Sequence, residues 1–228
     1  MSVRDNLERV CERIQRAAIK AGRDPAGITI VAVTKTFGPE MILEAIEAGI
    51  TDIGENRIQE FLKKAEAVNV PCRWHLVGHL QTNKVNKAVG RFTLIHSVDS
   101  LKLAERLSLS SEQRGLVTDI LLEINTSGEE SKYGFQPVET VDACGRIAAF
   151  PGVRVRGLMT VGPWVTDQAV VAASFERLVG LKEEVQQSRS DNITMEHLSM
   201  GMTDDFEIAV ELGSTIVRLG RVLFGERP

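Results

Sequence analysis

The sequence has few cysteines, and those it has form no recognisable pattern. Cys11, Cys72 and Cys144 are odd in number, far apart and without CxxC spacing. Disulfide frameworks and structural zinc sites need paired cysteines or short, regular ligand spacing, so we predict neither. Free thiols fit a reducing compartment, and we expect a cytoplasmic protein.

An excess of positive charge is also missing. The 228 residues carry a net charge of −4, with a pI near 5.7. Nucleic acids and anionic membrane surfaces are bound by clustered Lys and Arg, so we expect neither as a partner. The first twenty residues are dotted with charges and contain no continuous apolar segment, which predicts no signal peptide and no membrane span.

No linker-like tract rich in Pro or Ser and no block of like charge divides the chain, so we predict one domain over residues 1–228. After a first amphipathic helix from Val3 to about Ala18, short apolar runs alternate with helical patterns. The predicted strands are 28–34, 51–54, 74–77, 93–98, 117–124, 153–161, 193–198 and 215–219.

Alternation of strands and helices predicts an α/β fold with a parallel sheet, because parallel strands need crossovers and both faces of the sheet must be covered. Eight such units predict a single closed (β/α)8 TIM barrel with an extra N-terminal helix. An open doubly wound sheet is the alternative. Its first strand is normally followed by a GxGxxG turn, whereas TKTFGPE follows here, so the barrel is favoured.

The loops after the last two strands suit a phosphate. In TIM barrels the C-terminal strand ends form the functional face, and phosphates commonly bind after strands seven and eight. Ser199 and Gly201 follow strand seven, and Gly220 and Arg221 follow strand eight. Small residues and N–H groups at a helix start admit an anion, although each glycine also fits a plain turn and Ser199 an ordinary helix cap.

Two cationic side chains are predicted next to these loops. Arg218 lies near the end of strand eight, where it fits either an ion pair with Glu196 or another carboxylate, or a fixed cation for a ligand. Lys35 ends strand one, which adjoins strand eight in a closed barrel. A partly desolvated lysine becomes a nucleophile toward carbonyls; a solvated strand end and a phosphate counter-charge are the alternatives.

Pyridoxal 5′-phosphate (PLP) carries both groups that these features predict. Its phosphate would lie in the loops after strands seven and eight, and its aldehyde would form an imine with Lys35. Arg218 could then face the pyridine nitrogen and keep it unprotonated, which weakens the ring as an electron sink.

The remaining candidates carry weaker signals. His75 and His79 straddle a glycine at a strand end with no third ligand evident, so no metal site is predicted. Asn56 fits a cap of the following helix, and it also projects from the top of strand two beside Lys35. Met159 fits a core or pocket-wall position, and Lys132 a solvated loop lysine.

The chain also contains a series of motifs in a characteristic order: VAVTKT, GENRIQE, WHLVGHLQTNK, IHSVDS, EINTSGEESKYGF, RGLMTV, LSMGMTDDFEIAVELGSTIVRLG and LFGER. With these motifs the chain resembles the YggS/PROSC family of PLP homeostasis proteins from about residue 28 to the C-terminus. The same barrel is similar to the N-terminal domain of bacterial alanine racemase.

The resemblance implies that Lys35 binds the PLP aldehyde and that Arg218 faces the ring nitrogen. It also implies the residues that contact the rest of the cofactor, namely Ser199 and the backbone of Met200, Gly220 and Arg221 at the phosphate, with Asn56 and Met159 lining the cofactor.

The resemblance also bears on catalysis. Alanine racemase joins its barrel to a β-domain that supplies a catalytic tyrosine across a dimer interface, whereas this chain ends soon after strand eight and its one tyrosine, Tyr133, follows strand five. No second acid or base is evident opposite Lys35. We therefore expect a monomer that binds and buffers PLP and delivers it to PLP-dependent apoenzymes, influencing amino- and keto-acid balance, rather than an enzyme. A PLP-dependent racemase or decarboxylase is the alternative, and a cofactor-free lysine aldolase is a third.

Overall fold

Eight parallel strands close into a barrel in the computed structural model, which describes residues 2–129, 131–187 and 192–226. The strands follow chain order around the barrel, and β1 closes it by pairing with β8. The predicted barrel is confirmed, and the open-sheet alternative is wrong. The strands are β1 Thr29–Val33, β2 Asp52–Glu55, β3 Arg73–Leu76, β4 Leu94–Val98, β5 Thr118–Glu123, β6 Val153–Met159, β7 Ile193–Ser199 and β8 Ile216–Leu219.

Helices connect the strands on the outside of the barrel, as parallel strands require. They are α1 Val3–Lys20, α2 Pro39–Glu47, α3 Ile58–Ala67, α4 Val85–Ala88, α5 Leu101–Glu112, α6 Thr140–Ile147, α7 Gln168–Gln187, α8 Phe206–Glu211 and α9 Arg221–Phe224. Short 3₁₀ turns precede β1, α4 and α6, at Pro25–Gly27, Thr82–Lys84 and Pro137–Glu139. Within the described ranges, every helix is too short or too polar to span a lipid bilayer.

The additional helix α1 begins with a capping box, in which Ser2 and Asp5 exchange side-chain to backbone hydrogen bonds. Its apolar face, which includes Val10 and Ile14, is buried against the helices that flank β8. Burial of these side chains is the main favourable term that holds α1 in place. The helix thereby covers the side of the barrel where the first and last strands meet.

Part of the barrel interior is filled by apolar side chains. Val31, Leu94, Leu121, Met159 and Ile216 come from five different strands and pack into one buried cluster. Side chains from several strands fill the interior in this way in TIM barrels, so the barrel is a packed core and not a pore. A ligand can therefore enter only at an end of the barrel.

Candidate functional site

Strand register brings several of the predicted site residues to the C-terminal end of the barrel. Met159 pairs with Ser199 across β6 and β7, and Arg218 pairs with Val31 across β8 and β1. A Cβ placed on Gly220 would lie 3.4 Å from the carbonyl oxygen of Val33. The end of β8 therefore touches the end of β1, the strand that carries Lys35.

Lys35 occupies a tight turn directly after β1. The N–H of Phe37 donates to the carbonyl of Thr34 over 3.1 Å, so Lys35 and Thr36 are the two central residues of a β-turn. Thr36 has a φ of 71°, which is unusual for a β-branched residue because of the crowding around its Cβ. Such a conformation persists only where the surroundings enforce it. The half-buried Lys35 is thus held in a constrained position.

A buried ion pair between Lys64 and Glu55, which the sequence did not predict, holds this turn in place. Lys64 Nζ donates to the carbonyl of Thr34 over 2.8 Å and to Glu55 Oε1 over 2.6 Å, and Thr34 Oγ1 also donates to Glu55 Oε1 over 2.6 Å. Glu60 Oε2 accepts from the N–H of Thr36 over 3.4 Å. Burial raises the pKa of the Glu55 carboxyl, while the hydrogen bonds from Lys64 and Thr34 act in the opposite direction. We call Thr34, Glu55 and Lys64 the turn clamp.

Asn56, the next residue after β2, does not cap a helix. Helix α3 begins at Ile58, and its N-cap is Arg57, without a side-chain cap hydrogen bond. The cap prediction for Asn56 is therefore wrong. Its Oδ1 atom is buried without a hydrogen-bond partner in the protein. Buried polar atoms are normally paired, so this acceptor is available to a hydrogen-bond donor.

Arg218 is a fixed, buried cation. Its guanidinium donates to Ser199 Oγ over 2.7 Å and to the carbonyl of Thr160 over 2.8 Å. The alternative of an ion pair with Glu196 is wrong, because Glu196 pairs with Arg156 instead. Burial lowers the pKa of Arg218 to about 10, which leaves the side chain charged at neutral pH. Of the two interpretations from sequence, the structure favours a cation held for a ligand.

Ser199 and Met200 are tied into the barrel. Ser199 is the last residue of β7 and α8 begins only at Phe206, so the helix-cap alternative for Ser199 is wrong. The Ser199 hydroxyl contacts Arg218 and, over 2.9 Å, His96 Nδ1. The N–H of Met200 donates to the carbonyl of Ile216 over 3.2 Å. A phosphate at these two residues would have to share those partners.

The loops after β7 and β8 contact each other. Arg221 forms an ion pair with Asp204, and the N–H of Val222 donates to Thr203 Oγ1 over 3.4 Å. Gly220 precedes the short helix α9, and the first N–H of a helix, here that of Arg221, has no acceptor within the helix. The Thr203 hydroxyl, which the sequence analysis did not single out, lies at this contact between the two loops. These groups could together hold an anion.

Glu123 is a further polar residue that the sequence analysis missed. It ends β5, pairs in register with Met159, and is 8% exposed. Burial raises its pKa to about 7, with Asp99 acting in the same direction and Arg218 against it. A sequence signal was available, since a carboxylate at the C-terminal end of a barrel strand is typical of a functional position.

This set of groups fits PLP. A lysine in a constrained turn, a buried guanidinium and an unpaired amide oxygen lie on neighbouring strand ends, and the loops after β7 and β8 offer small residues and N–H donors. PLP needs an amine for its aldehyde, a partner for its ring nitrogen and donors for its phosphate. All three requirements have a counterpart here.

Lys132 and Tyr133, in the loop after β5, both make specific contacts. Lys132 is 20% exposed in its side chain and donates to the carbonyl of Gly162 over 2.9 Å and to Glu129 over 2.7 Å, so the prediction of a solvated lysine is wrong. Tyr133 stacks on the ring of His79 with 4.0 Å between centroids. In the described part of the chain, no group of three or more His, Cys, Asp or Glu is arranged to hold a metal.

Comparisons with known proteins agree with this geometry. Residues 4–228 match the family described as alanine racemase, N-terminal domain. A pyridoxal phosphate homeostasis protein of Aquifex aeolicus is 42% identical over all of this chain and 99% of its own length. PipY of Synechococcus elongatus, solved with PLP bound, is 35% identical, with a TM-score of 0.81 over 93% of this chain and all of PipY.

An alanine racemase of Clostridium difficile shares the fold alone. Its TM-score is 0.80 at 14% identity, and the match covers all of this chain but 57% of the racemase. The Aquifex protein and PipY, by contrast, match along 99% and 100% of their own length. The chain therefore belongs to the family of the alanine racemase N-terminal domain and, within it, to the pyridoxal phosphate homeostasis proteins.

Proposed function

We propose that this protein binds PLP covalently through Lys35 and acts in PLP homeostasis by binding, buffering and delivering the cofactor. One observation carries the proposal. Closure of the barrel brings the strand that carries Lys35 next to the strand that carries Arg218, and both end beside the loops suited to a phosphate. Relatives that match the whole chain are named for this function, and PipY has been solved with PLP bound.

When bound, PLP supplies an aldehyde that condenses with a lysine amine and a ring that can accept electrons. The turn clamp fixes the position of Lys35, because Lys64 and Glu55 hydrogen-bond to Thr34, the residue before it. Arg218 would hold the ring nitrogen as a donor, because a guanidinium has no acceptor atom. Such a donor would leave the nitrogen without a proton of its own and so make the ring a weaker electron sink.

We infer that the protein catalyses little turnover of amino acids. Racemisation needs an acid or base on each face of the ring, and Tyr133 is 57% exposed and stacked on His79. One observation favours the alternative of a racemase or decarboxylase: Glu123 is buried near Arg218 with a pKa raised to about 7, which suits proton exchange at neutral pH. Assays with free amino acids separate the two functions.

Further parts of the proposal concern the protein in the cell. We expect a cytoplasmic monomer, folded as one domain, that passes PLP to PLP-dependent apoenzymes. The net charge of −4 gives it no general affinity for nucleic acid or anionic membranes.

A titration with PLP tests the proposal. The wild-type protein should develop an absorbance band near ~420 nm, the region expected for PLP joined to a lysine, and Lys35→Ala should lose it. Lys132→Ala is the matched control, since Lys132 lies in the loop after β5. A band that survives in Lys35→Ala would refute the role of Lys35. Racemisation or loss of CO₂ from a free amino acid, measured on the loaded wild type, would refute the non-catalytic role.

A further inference from the structure

A continuous line of hydrogen bonds crosses the barrel interior below Arg218. His75 Nε2 lies 2.9 Å from Asp52 Oδ1, His75 Nδ1 lies 3.0 Å from His96 Nε2, and His96 Nδ1 lies 2.9 Å from Ser199 Oγ. Ser199 Oγ accepts from Arg218 over 2.7 Å. All five side chains are at most 5% exposed. We call Asp52, His75, His96, Ser199 and Arg218 the interior chain.

The two ends of the interior chain fix its direction. An ionised carboxylate only accepts hydrogen bonds, and a guanidinium only donates them. Arg73 donates to both oxygens of Asp52 over 2.7 and 2.6 Å, and Thr51 donates over 2.8 Å. Burial opposes ionisation of Asp52, but the hydrogen bonds from His75, Arg73 and Thr51 outweigh it and hold the pKa well below its usual range.

With both ends fixed, each group between them has one arrangement that leaves no atom unpaired. His75 donates from Nε2 to Asp52, so its Nδ1 must accept from Nε2–H of His96. His96 Nδ1 then accepts from the hydroxyl of Ser199, whose oxygen accepts from Arg218. Both histidines are neutral and carry their proton on Nε2. Burial lowers the pKa of His96 well below its usual value, with the neighbouring His75 and Arg218 acting in the same direction.

A reversed chain would leave a buried group unpaired. If His75 carried protons on both nitrogens, it would donate to His96, which would then donate from Nδ1 to Ser199. Ser199 Oγ would accept from His96 and Arg218 together, and its own proton would need another acceptor. An unpaired buried polar group destabilises the folded state, so the first arrangement is favoured.

We propose that Asp52, His75 and His96 are positioning residues, which orient the Ser199 hydroxyl so that it accepts from Arg218 and thereby fix the guanidinium. Arg218 makes its second bond to the carbonyl of Thr160, so the two contacts together set the plane of the guanidinium. The direction of the chain is a property of the protein alone. Its consequence for the ring nitrogen of PLP rests on the proposed function.

The direction of the chain can be read without PLP. Long-range ¹⁵N–¹H spectra report which ring nitrogen of a histidine carries the proton. The whole protein has four histidines to assign. We expect His75 and His96 to be protonated on Nε2 alone at neutral pH. In Asp52→Leu, which removes the terminal acceptor, the single tautomer should be lost. A proton on Nδ1 of either histidine in the wild type would overturn the assignment.

The positioning role is tested by a pair of substitutions at His96. His96→Gln keeps a donor and an acceptor on one side chain, whereas His96→Leu keeps neither. The ¹⁵Nε signal of Arg218 should remain that of a rigid side chain in the wild type and in His96→Gln, and become that of a mobile one in His96→Leu. Equal rigidity in all three proteins would overturn the positioning role, and this arm also requires no PLP.

A PLP titration of the same variants tests the consequence for the cofactor. We expect PLP to bind about tenfold more weakly to His96→Leu, which corresponds to the loss of roughly one hydrogen bond, and within about twofold of wild type to His96→Gln. Unchanged affinity in His96→Leu would overturn the link to the cofactor. A wild type that does not bind PLP would refute the proposed function, while the tautomers and Arg218 mobility would still decide the proposed chain.

Discussion

At the start of β2 the carboxylate of Asp52 is kept ionised, whereas at the ends of β2 and β5 burial raises the pKa of Glu55 and Glu123. Both oxygens of Asp52 accept hydrogen bonds. At the other end of the barrel, Glu55 Oε2 and Asn56 Oδ1 are buried without a partner. Asp52 is therefore fully paired near the N-terminal end of the barrel, whereas these two oxygens near the C-terminal end can still accept a hydrogen bond. In this fold the functional face is expected at the C-terminal strand ends.

The largest effect should follow from breaking the turn clamp. Lys64→Met leaves Glu55, which has no exposed surface, as an uncompensated buried carboxylate. We expect a loss of about 3–5 kcal/mol in the free energy of unfolding, measured by urea denaturation. Lys63→Met, on the exposed side of the same helix, is the control. An equal loss in the two variants would contradict the clamp, and adding Glu55→Leu to Lys64→Met should restore part of the stability.

Glu123→Gln should change how stability depends on pH. Burial raises the pKa of Glu123 in the folded protein from its ordinary value of 4.5 to about 7. Between these values the folded protein retains a proton that the unfolded chain has released, so the free energy of unfolding falls as pH rises, by about 3 kcal/mol in total. Glutamine does not titrate, so this contribution should vanish in Glu123→Gln.

The measurement for Glu123 is urea denaturation at pH 4.5 and pH 8. Relative to wild type, Glu123→Gln should gain stability on going to the higher pH. Glu8→Gln, at an exposed position of α1, is the control and should follow the wild type. If the difference in the free energy of unfolding between Glu123→Gln and wild type were the same at both pH values, the pKa of Glu123 would not be raised in the folded protein.

The smallest of these effects should come from Asp52→Asn, because asparagine still offers an acceptor to His75. Loss of the charge that faces Arg73 should lower the free energy of unfolding by about 2 kcal/mol at pH 7. The folded-state pKa of Asp52 lies below the unfolded value, so its contribution is present above about pH 4 and is lost as the pH falls further. Urea denaturation should show a smaller difference in the free energy of unfolding between Asp52→Asn and wild type at pH 3 than at pH 7. Asp142→Asn, at an exposed position, is the control. A cost independent of pH would contradict an ionised Asp52.

Much of the fold was predictable from the sequence, because eight apolar runs that alternate with helical patterns require a parallel sheet covered by helices. The absence of a GxGxxG turn after the first strand favoured the closed barrel over an open sheet. The adjacency of Lys35 and Arg218 followed from that closure alone. Boundaries were less accurate, as for β6, which was predicted over 153–161 and ends at Met159, because local signals define the ends of elements only to within a few residues.

The interactions that depend on register could not be predicted in the same way. Lys64 and Glu55 are nine positions apart on a helix and a strand, and nothing in the local pattern indicates that they meet. The contact between His75 and His96 likewise exists only because β3 and β4 are neighbours in the barrel. For Arg218 the sequence left a carboxylate ion pair and a cation held for a ligand as alternatives, and the hydroxyl and the carbonyl that hold it here come from the end of β7 and from the residue after β6.

The central claim is that one small molecule joins the Lys35 turn to the loops after β7 and β8. The most direct measurement is reduction of the PLP-loaded protein with borohydride, followed by mass spectrometry of its proteolytic peptides. We predict that the pyridoxyl group is found on the peptide that contains Lys35, and that Lys35→Ala carries none. Modification of Lys132 or another lysine in place of Lys35 would contradict the account.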